Sequence, residues 1–251
     1  MKMAGNDAVS VTRNSKVWTV TISRPERRNA LDDHTIDSLM GTIKEAEAGG
    51  DVAGLIITGA GDRAFCAGSD LKALAGLNRS EAARHTRMGQ LLMDAIETSS
   101  LITVAAVEGF ALGGGFELAL ACDLIVAGSS ATFGLPELSK GMVPAWGGTY
   151  RLSRAIGLNP ARAVILGGRR LDAGTAHALG LVTAIAEDGS TVSVARDLLS
   201  VVLQHVEPSV IGIVKQMLLS GAVADGASAS LAERLTETML SFASDYGVER
   251  V

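Results

Sequence analysis

Three consecutive glycines, Gly113 to Gly115, constrain this chain most, because they separate two apolar segments that should fold differently. The segment before them, LITVAAV from Leu101 to Val107, is apolar throughout and rich in β-branched residues. It favours a strand buried on both faces, although a buried helical segment fits the same pattern. The segment after them, FELALACD, has the spacing of a short buried helix. A glycine-rich turn that opens a helix presents unpaired N–H groups, which can stabilise an anion.

Two glutamates lie close to glycines and are the strongest chemical signal in the sequence. Glu117 falls in the first turn of the predicted helix, where an isolated acid often does no more than complement the helix dipole. Glu137 follows Pro136 in an irregular segment, where an isolated acid is usually a solvated loop carboxylate. If both faced one apolar pocket, their environments could separate their pKa values, so that one acts as base and the other as acid.

Length and charge narrow the class of protein. A chain of 251 residues can form one large domain, or one domain with a helical appendage. A net charge of −5 and scattered Lys and Arg disfavour nucleic-acid binding. Cys66 and Cys122 have no paired spacing and are expected to be reduced and buried. The first residues lack the apolar core of a signal peptide, so we expect a cytoplasmic protein with no membrane partner.

Strands and helices alternate along most of the chain. Two β-rich runs on either side of Arg13 to Lys16 predict a hairpin. Capping residues predict helices that begin near Asp32 or Asp33, at Ser80 and after Asp172. The apolar segments VAGLIITGAG, DLIVAG and LVTAIAE predict further strands, and from Asp188 onward the pattern is helical. That tail is expected to form helices over residues 192–206, 209–219 and 228–242.

Three other classes of site find little support. The segment ITGAGDRAFCAG is superficially similar to a dinucleotide-binding loop, but Arg63 and Phe65 stand where that pattern has glycines. Tyr150 is followed four residues later by Arg154 rather than lysine, so a dehydrogenase tyrosine and lysine pair is missing as well. A serine hydrolase elbow is not expected, because the sequence contains no G-x-S-x-G. The histidines have no close pairing, so we expect no metal site; they are His34, His85, His177 and His205.

Three segments resemble, in order, the signatures of the enoyl-CoA hydratase/isomerase, or crotonase, family. They are AFCAGSDLK (64–72), GFALGGGFELALACD (109–123) and FGLPELSKGMVPAWGGTYRL (133–152). Together with RPERRNAL (24–31) and LGGRRLDAGTAHALGLVTAI (166–185), the resemblance extends from about Val17 to Ile185. It implies an α/β fold, a spiral of repeated β-β-α units followed by a C-terminal helical region that packs trimers. We expect the core with the active site over residues 1–187 and the helical region over residues 188–251.

The resemblance implies enoyl-CoA hydratase activity, the reversible syn addition of water to a 2-enoyl-CoA thioester to give a 3-hydroxyacyl-CoA. The backbone N–H groups of Ser69 and Gly114 would form an oxyanion hole, each contributing roughly 3 kcal/mol to stabilisation of an enolate. By the same resemblance, Glu117 would deprotonate the water that attacks Cβ, and Glu137 would supply the proton to Cα. Hydrating relatives keep a glutamate at both positions, as this chain does.

The resemblance also implies where the substrate binds. Residues expected to line the CoA and acyl channel are Cys66, Ala67, Gly68, Asp70, Leu71 and Lys72. Arg27 or Arg28 would lie near the CoA phosphates, unless both are solvated loop cations. Ala145 would offer its N–H to the water, and Trp146, in PAWGG where hydratases commonly read PGAGG, would alter the acyl-chain preference. Ser69 stands where many relatives have alanine, and it adds a hydroxyl to the pocket.

Several alternatives remain open within this resemblance. A shared fold does not fix the reaction, so the chain could instead isomerise, hydrolyse, dehalogenate or form C–C bonds on a CoA thioester. A non-catalytic acyl-CoA binding protein is a further alternative. We expect no cofactor, because CoA is part of the substrate, and a homotrimer or a dimer of trimers. The sequence ends in ASDYGVERV without the basic, aromatic tail of typical relatives, so CoA affinity or chain-length preference should differ, unless a neighbouring subunit fills the gap.

Overall fold

The computed structural model describes residues 8–204, 206 and 208–221, and these form two sheets surrounded by helices. The strands are β1 (Val9–Asn14), β2 (Val17–Ile22), β3 (Gly54–Gly59), β4 (Ala64–Cys66), β5 (Ile102–Val107), β6 (Phe110–Leu112), β7 (Leu124–Gly128), β8 (Thr132–Gly134), β9 (Leu171–Asp172) and β10 (Ala184–Ala186). The helices are α1 (Asp33–Ala48), α2 (Leu71–Leu74), α3 (Arg79–Glu97), α4 (Gly114–Ala121), α5 (Gly148–Ile156), α6 (Leu158–Ile165), α7 (Ala173–Ala178), α8 (Thr191–Leu203) and α9 (Pro208–Gly221). Short 3₁₀ turns lie at Pro25–Arg27 and Glu137–Lys140.

The larger sheet has the strand order β1-β2-β3-β5-β7-β10, and the smaller sheet has the order β4-β6-β8-β9. The predicted hairpin is confirmed, since β1 and β2 pair antiparallel with Val11 opposite Val20. From β2 to β10 the larger sheet is parallel. The strand predicted before the glycine triplet is β5, and the helix predicted after it is α4.

The chain passes from one sheet to the other in a repeated β-β-α pattern. In each of the pairs β3 and β4, β5 and β6, and β7 and β8, the first strand joins the larger sheet and the second joins the smaller one. Each pair is followed by helix before the next strand of the larger sheet. Every unit therefore adds one parallel strand to both sheets, which confirms the predicted α/β spiral of β-β-α units.

Both faces of the larger sheet are buried. All six residues of β3 are buried, as are the last five of β5, which explains their continuous apolar sequences. On one face, Leu55 and Ile57 belong to the large core cluster that also contains residues of α1 and α3. On the other face, Ile56 packs in a smaller cluster with Ala195 and Leu199 of α8.

Helix starts follow the capping residues closely. The Asp32 side chain accepts from the N–H of Thr35, and Asp172 accepts from the N–H of Thr175, so both predicted caps are confirmed. The helix predicted to begin at Ser80 begins instead at Arg79. Asn78 is its cap and forms a capping box with the Glu81 side chain, a local pattern that competes with the serine.

The C-terminal part of the described chain is helical. Helix α8 ends at Leu203, three residues before the predicted end, and α9 follows. Lys215 of α9 is buried, and its Nζ donates to the Leu101 carbonyl at 2.7 Å and to Asp123 at 2.8 Å. The helix predicted over residues 228–242 lies outside the described residues, as does the C-terminal segment, and the boundary at residue 187 stays a prediction. None of the helices in the described part of the chain is long and apolar enough to cross a membrane.

Candidate active site

The backbone around Ser69 leaves its N–H free. Leu31 donates its N–H to the Gly68 carbonyl at 2.8 Å and accepts from the Asp70 N–H at 2.9 Å, which makes a one-residue parallel bridge. Because Leu31 bonds to the residues on either side of Ser69, the Ser69 N–H points away from the bridge. It donates to no acceptor within residues 8–204, 206 and 208–221. Ser69 therefore presents an available backbone donor.

Gly114 presents a second donor beside the first. It is the first residue of α4, so its N–H has no acceptor in the helix, and it finds none elsewhere in the described chain. Gly68 has φ of +87°, and a Cβ on it would lie 2.7 Å from the Gly114 nitrogen. The glycine at position 68 thus lets the segments that carry the two donors approach closely.

Glu117 is buried one turn into α4, with 2% of its surface exposed. Its Oε1 accepts hydrogen bonds from the N–H groups of Trp146 and Gly148, both at 2.8 Å. Burial raises the pKa of Glu117 to about 7, even though these two amides lower it, and the nearby Glu137 raises it further. A carboxyl with this pKa can both take up and release a proton near neutral pH.

Glu137 opens the 3₁₀ turn after Pro136 and lies close to the glycine triplet. A Cβ placed on Gly113 would lie 3.1 Å from Glu137 Oε1. The Oε2 atom is buried and has no hydrogen-bond partner in the part of the chain that the structure describes. Burial raises the pKa of Glu137 as well. An unpartnered carboxyl oxygen of this kind is available to a ligand.

Both glutamates and both free N–H groups border one cavity of about 120 Å³, here called the inner cavity. Its lining includes Ser69, Gly114, Glu117 and Glu137, and its apolar wall includes Leu74 and Trp146. The two glutamates predicted from the sequence therefore face the same space, together with the two predicted backbone donors. The arrangement can hold a polarised carbonyl oxygen at the donors while a proton is moved at each of two neighbouring atoms.

The inner cavity continues outward into a larger and more basic one. A cavity of about 620 Å³, here called the outer cavity, is lined by Ala67, Ser69 and Leu71 and by four cations. These cations are Arg27, Arg28, Lys72 and Lys140. Ser69 and Leu71 also line the inner cavity, so the two spaces meet at these residues. The outer cavity has the charge and the size to take a phosphate-bearing group.

Three of the residues expected to line the channel have other surroundings. Cys66 is fully buried, burial raises its pKa to about 12, and it does not line either cavity. Gly68 also lines neither cavity and packs against the Gly114 backbone. Asp70 borders the outer cavity, but its carboxylate caps α2 and pairs with Arg24 at 3.0 Å. The carboxylate of Asp70 is therefore engaged within the protein.

Trp146 fills the space between α3 and α4. Its side chain is 4% exposed, and its ring lies 5.4 Å from the His85 ring, centroid to centroid. Gly89 provides the room, since a Cβ there would lie 2.0 Å from the indole ring. Ala145, which was expected to offer its N–H to water, lines the inner cavity, and its carbonyl accepts from Gln90 at 2.9 Å. The amides next to the acid are those of Trp146 and Gly148.

Sequence reasoning missed the residue that holds this loop. Arg151 is 2% exposed, and its Nη1 donates to the Trp146 carbonyl at 2.8 Å. Its Nη2 pairs with Glu97 at 2.6 Å and with Asp94 at 3.1 Å. Arg151 thereby fixes the loop whose amides bind Glu117, and its position in the TYRL signature segment was the available signal.

Sequence reasoning also missed Asn29, which is 1% exposed and has φ of +54°. Its Nδ2 donates to the carbonyls of Ala60 at 3.0 Å and Ala64 at 2.7 Å, and its Oδ1 accepts from the Arg24 N–H at 3.1 Å. These bonds join the loop after β2 to both ends of the β3–β4 connection. The loop then reaches Leu31, the residue that orients the Ser69 backbone.

A third missed feature is a chain of polar contacts that begins at Ser69. Ser69 Oγ lies 2.5 Å from His85 Nε2, and His85 Nδ1 lies 2.6 Å from Asp33 Oδ1. No local pattern indicates this contact, because Asp33 and His85 lie 52 residues apart and meet through the packing of α1 against α3.

Comparison with known proteins places this geometry in a family. The family model described as enoyl-CoA hydratase/isomerase matches residues 12–240. The short-chain-enoyl-CoA hydratase of Clostridium acetobutylicum is 34% identical over 217 residues, covering 86% of this chain and 83% of that protein. A crystal structure of an enoyl-CoA hydratase from Bacillus anthracis is 31% identical, with a TM-score of 0.89 over 92% of this chain and 90% of that one. A protein from Thermobifida fusca, described as a putative enoyl-CoA hydratase in complex with CoA, is 28% identical with a TM-score of 0.87, over 96% of both chains. The chain therefore belongs to the enoyl-CoA hydratase/isomerase family and has the crotonase fold.

Proposed function

We propose that this protein is an enoyl-CoA hydratase, which adds water reversibly to a 2-enoyl-CoA thioester and forms a 3-hydroxyacyl-CoA. The observation that carries the proposal is the convergence of Glu117, Glu137 and the free N–H groups of Ser69 and Gly114 on the inner cavity. The named hydratases among its relatives support the same activity.

The two N–H groups act on the thioester carbonyl oxygen. Attack of water at Cβ moves electrons toward that oxygen and builds an enolate, so negative charge develops where the Ser69 and Gly114 donors point. Fixed backbone donors in a buried site stabilise such charge without reorganising, and each contributes about 3 kcal/mol. The positive end of α4 adds to the same effect at Gly114.

The two carboxyl groups divide the proton transfers. Glu117 in its anionic form takes a proton from water as the oxygen bonds to Cβ, and Glu137 in its neutral form gives a proton to Cα. Burial raises both pKa values, so a proton stays on the pair at a pH closer to neutral than it would on ordinary glutamates. In the dehydration direction the two roles exchange.

The remainder of the substrate extends into the outer cavity. Arg27, Arg28, Lys72 and Lys140 supply the positive charge that CoA phosphates require, and Ala67 and Leu71 border the passage to the inner cavity. The reaction needs no resident cofactor, because CoA arrives as part of the substrate. Within the described ranges, no three His, Cys, Asp or Glu side chains are grouped so as to hold a metal ion.

Absorbance of the conjugated thioester tests the proposal. Crotonyl-CoA should lose its ultraviolet absorbance when the protein is added, and the product should be 3-hydroxybutyryl-CoA by mass. Glu137→Gln removes the proton donor and should lower kcat at least about 100-fold while CoA-thioester binding persists. Glu187→Gln, an exposed glutamate remote from the cavities, is the matched control and should keep full activity.

Thermal protection by crotonyl-CoA with no change in absorbance would instead identify a non-catalytic binder. A product other than the hydroxyacyl thioester would assign another reaction of the family.

The proposed assembly follows the family resemblance. We propose a homotrimer or a dimer of trimers, which light scattering on the purified chain measures directly. A cytoplasmic location agrees with Cys66 and Cys122, which are both buried free thiols.

A further inference from the structure

The inner cavity contains a second set of reactive groups that the hydration mechanism does not use. Ser69 Oγ contacts His85 Nε2 at 2.5 Å, and His85 Nδ1 contacts Asp33 Oδ1 at 2.6 Å. The other oxygen of Asp33 pairs with Arg84. His85 is 4% exposed, and both Ser69 and His85 line the cavity that also contains the two glutamates. This constellation lies at the place where the substrate carbonyl must bind.

The carboxylate of Asp33 indicates which atom is the donor in each of these hydrogen bonds. An Asp33 carboxylate can only accept a hydrogen bond, so His85 Nδ1 carries the proton in this contact. In the tautomer with its proton on Nδ1, Nε2 is an acceptor, and Ser69 Oγ–H donates to it. A hydroxyl bonded to a histidine that is itself oriented by a carboxylate is the arrangement that activates serine as a nucleophile. A tilted contact with the Trp146 ring, 5.4 Å between centroids, helps to hold the His85 ring in place.

Ser69 also supplies one of the two oxyanion-hole donors through its own backbone. The nucleophilic serine of chymotrypsin-type proteases has the same two roles, because it also donates its backbone N–H to the oxyanion hole. A thioester oxygen bound by the N–H groups of Ser69 and Gly114 therefore brings the carbonyl carbon close to Ser69 Oγ. Carbonyl polarisation, nucleophile and base then lie together, although the sequence contains no G-x-S-x-G.

We propose that Ser69 is a nucleophile toward saturated acyl-CoA thioesters, which gives this protein a hydrolytic activity through an acyl-serine intermediate. The inference rests on the thioester binding of the proposed function but not on its glutamate chemistry. A saturated thioester cannot be hydrated, because it has no double bond at Cβ. It therefore stays bound with its carbonyl in the oxyanion hole, where Ser69 Oγ can attack the carbonyl carbon.

The steps balance without any further reactant except water. Ser69 Oγ bonds to the carbonyl carbon as its proton passes to His85 Nε2, and the oxyanion is held by the N–H groups of Ser69 and Gly114. Collapse breaks the C–S bond, and the CoA thiolate leaves with the proton from His85 as free thiol. Water then gives a proton to His85 and attacks the acyl-serine ester. Collapse of this second intermediate releases the carboxylic acid and returns the proton to Ser69 Oγ.

Two measurements on the full chain with butyryl-CoA test the inference. A thiol reagent should detect free CoA, and acid-quenched protein should carry one butyryl group, located on Ser69 by peptide mass spectrometry. Ser69→Ala should lose the adduct and lower thiol release at least about 100-fold, and Asp33→Asn should lower it at least about 10-fold. His34→Asn is the matched control, since His34 is exposed on the same helix as Asp33 and should change neither reading.

Two outcomes overturn the inference. One is a wild-type protein whose thiol release does not exceed that of Ser69→Ala, and the other is an acyl group found on Glu117 or Glu137. The adduct is read on the wild-type protein, so a variant that fails to fold does not affect that result. Hydration of crotonyl-CoA, followed by absorbance in the same preparation, reports on the proposed function separately.

Discussion

Burial of Glu117 determines both what this side chain can do and what its charge costs. Two backbone N–H groups bind Oε1 and offset part of the desolvation, but the pKa still rises to about 7. An exposed glutamate would be fully ionised and only weakly basic at neutral pH. In the proposed mechanism, the raised pKa makes Glu117 a base suited to neutral pH.

Hydration should depend on pH through Glu117. The base must be anionic, and its anionic fraction rises as pH increases toward a pKa of about 7. We expect kcat/KM for crotonyl-CoA to rise about tenfold per pH unit between roughly pH 5 and pH 6 as Glu117 ionises, to flatten near pH 7, and to fall at higher pH as Glu137 loses the proton that it must donate. Initial rates across this range measure the effect. A profile that is flat from pH 5 to pH 7 would show that no such base takes part.

The same pKa makes stability depend on pH. Glu117 has a pKa of about 7 in the folded protein against an ordinary value of 4.5, so folding favours its protonated form. Its contribution is fully favourable below about pH 4.5 and is lost as pH rises through 7. Gln at this position keeps an oxygen acceptor for both amides and has no charge to bury. We expect Glu117→Gln to be more stable than wild type by roughly 2–3 kcal/mol at pH 8, with little difference at pH 4.5.

Urea unfolding at the two pH values measures that difference, provided that both proteins unfold in one transition. An equal difference at both values would mean that charge burial is not its cause.

At the scale of elements, the candidate active site is assembled from loops that helices and buried ion pairs hold in place. The loop between the 3₁₀ turn at Glu137–Lys140 and α5 supplies the Trp146 amide that binds Glu117, and the first residue of α5 supplies the Gly148 amide. Helix α3 contributes Glu97, which pairs with Arg151 and Arg154 of α5. It also contributes His85 and the gap at Gly89 that the Trp146 ring occupies. Changes on α3 that touch no substrate should therefore reach the site.

The buried ion pair of Arg151 should stabilise the protein far more than its exposed neighbour. Arg151→Met leaves the buried Trp146 carbonyl without its partner and leaves Glu97 paired with Arg154 alone, so it should cost about 3 kcal/mol in free energy of unfolding. Arg154→Met removes an exposed pair with the same glutamate and should cost less than about 1 kcal/mol. Denaturant unfolding of the two variants gives the comparison. Equal losses would show that Arg151 does not act through its buried contacts.

Substitutions of two glycines within helices distinguish the effect of helix propensity on stability from the effect of side-chain packing. A Cβ at Gly89 would overlap the Trp146 ring, so Gly89→Ala should displace the indole and cost about 1–3 kcal/mol with loss of hydration activity. Gly41 of α1 has no atom within 4 Å of its added Cβ, so Gly41→Ala should stabilise by about 0.5–1 kcal/mol with activity intact. Thermal melting and crotonyl-CoA turnover of both variants measure the contrast. A harmless Gly89→Ala would mean that Trp146 has room to move.

At the scale of the whole molecule, local sequence patterns predicted the strands and helix starts that depend only on residues close together in the chain. The continuous apolar runs predicted β3 and β5, and aspartate caps predicted the starts of α1 and α7. Motif resemblance predicted Glu117 and Glu137, whose common cavity needed the fold to become visible.

Contacts between distant elements could not be predicted in the same way. Asp33 and His85 meet because α1 packs on α3, and no spacing along the chain encodes that contact. Asn29 and Arg151 read as ordinary polar residues until burial shows that each holds a loop of the active site. Burial and partner therefore decide the role of such residues, and the amino-acid type alone does not.

The bridge between Leu31 and the backbone around Ser69 links the part of the site that binds the nucleotide to the part that stabilises the enolate. The loop that ends at Leu31 carries Arg27 and Arg28, which line the outer cavity. Binding of the nucleotide part of CoA by these residues is therefore coupled to the orientation of the Ser69 N–H that stabilises the enolate. Binding free energy from the nucleotide contacts can then offset the cost of aligning the reacting carbons. A crotonyl thioester of N-acetylcysteamine, which lacks that handle, should show a lower kcat as well as a higher KM.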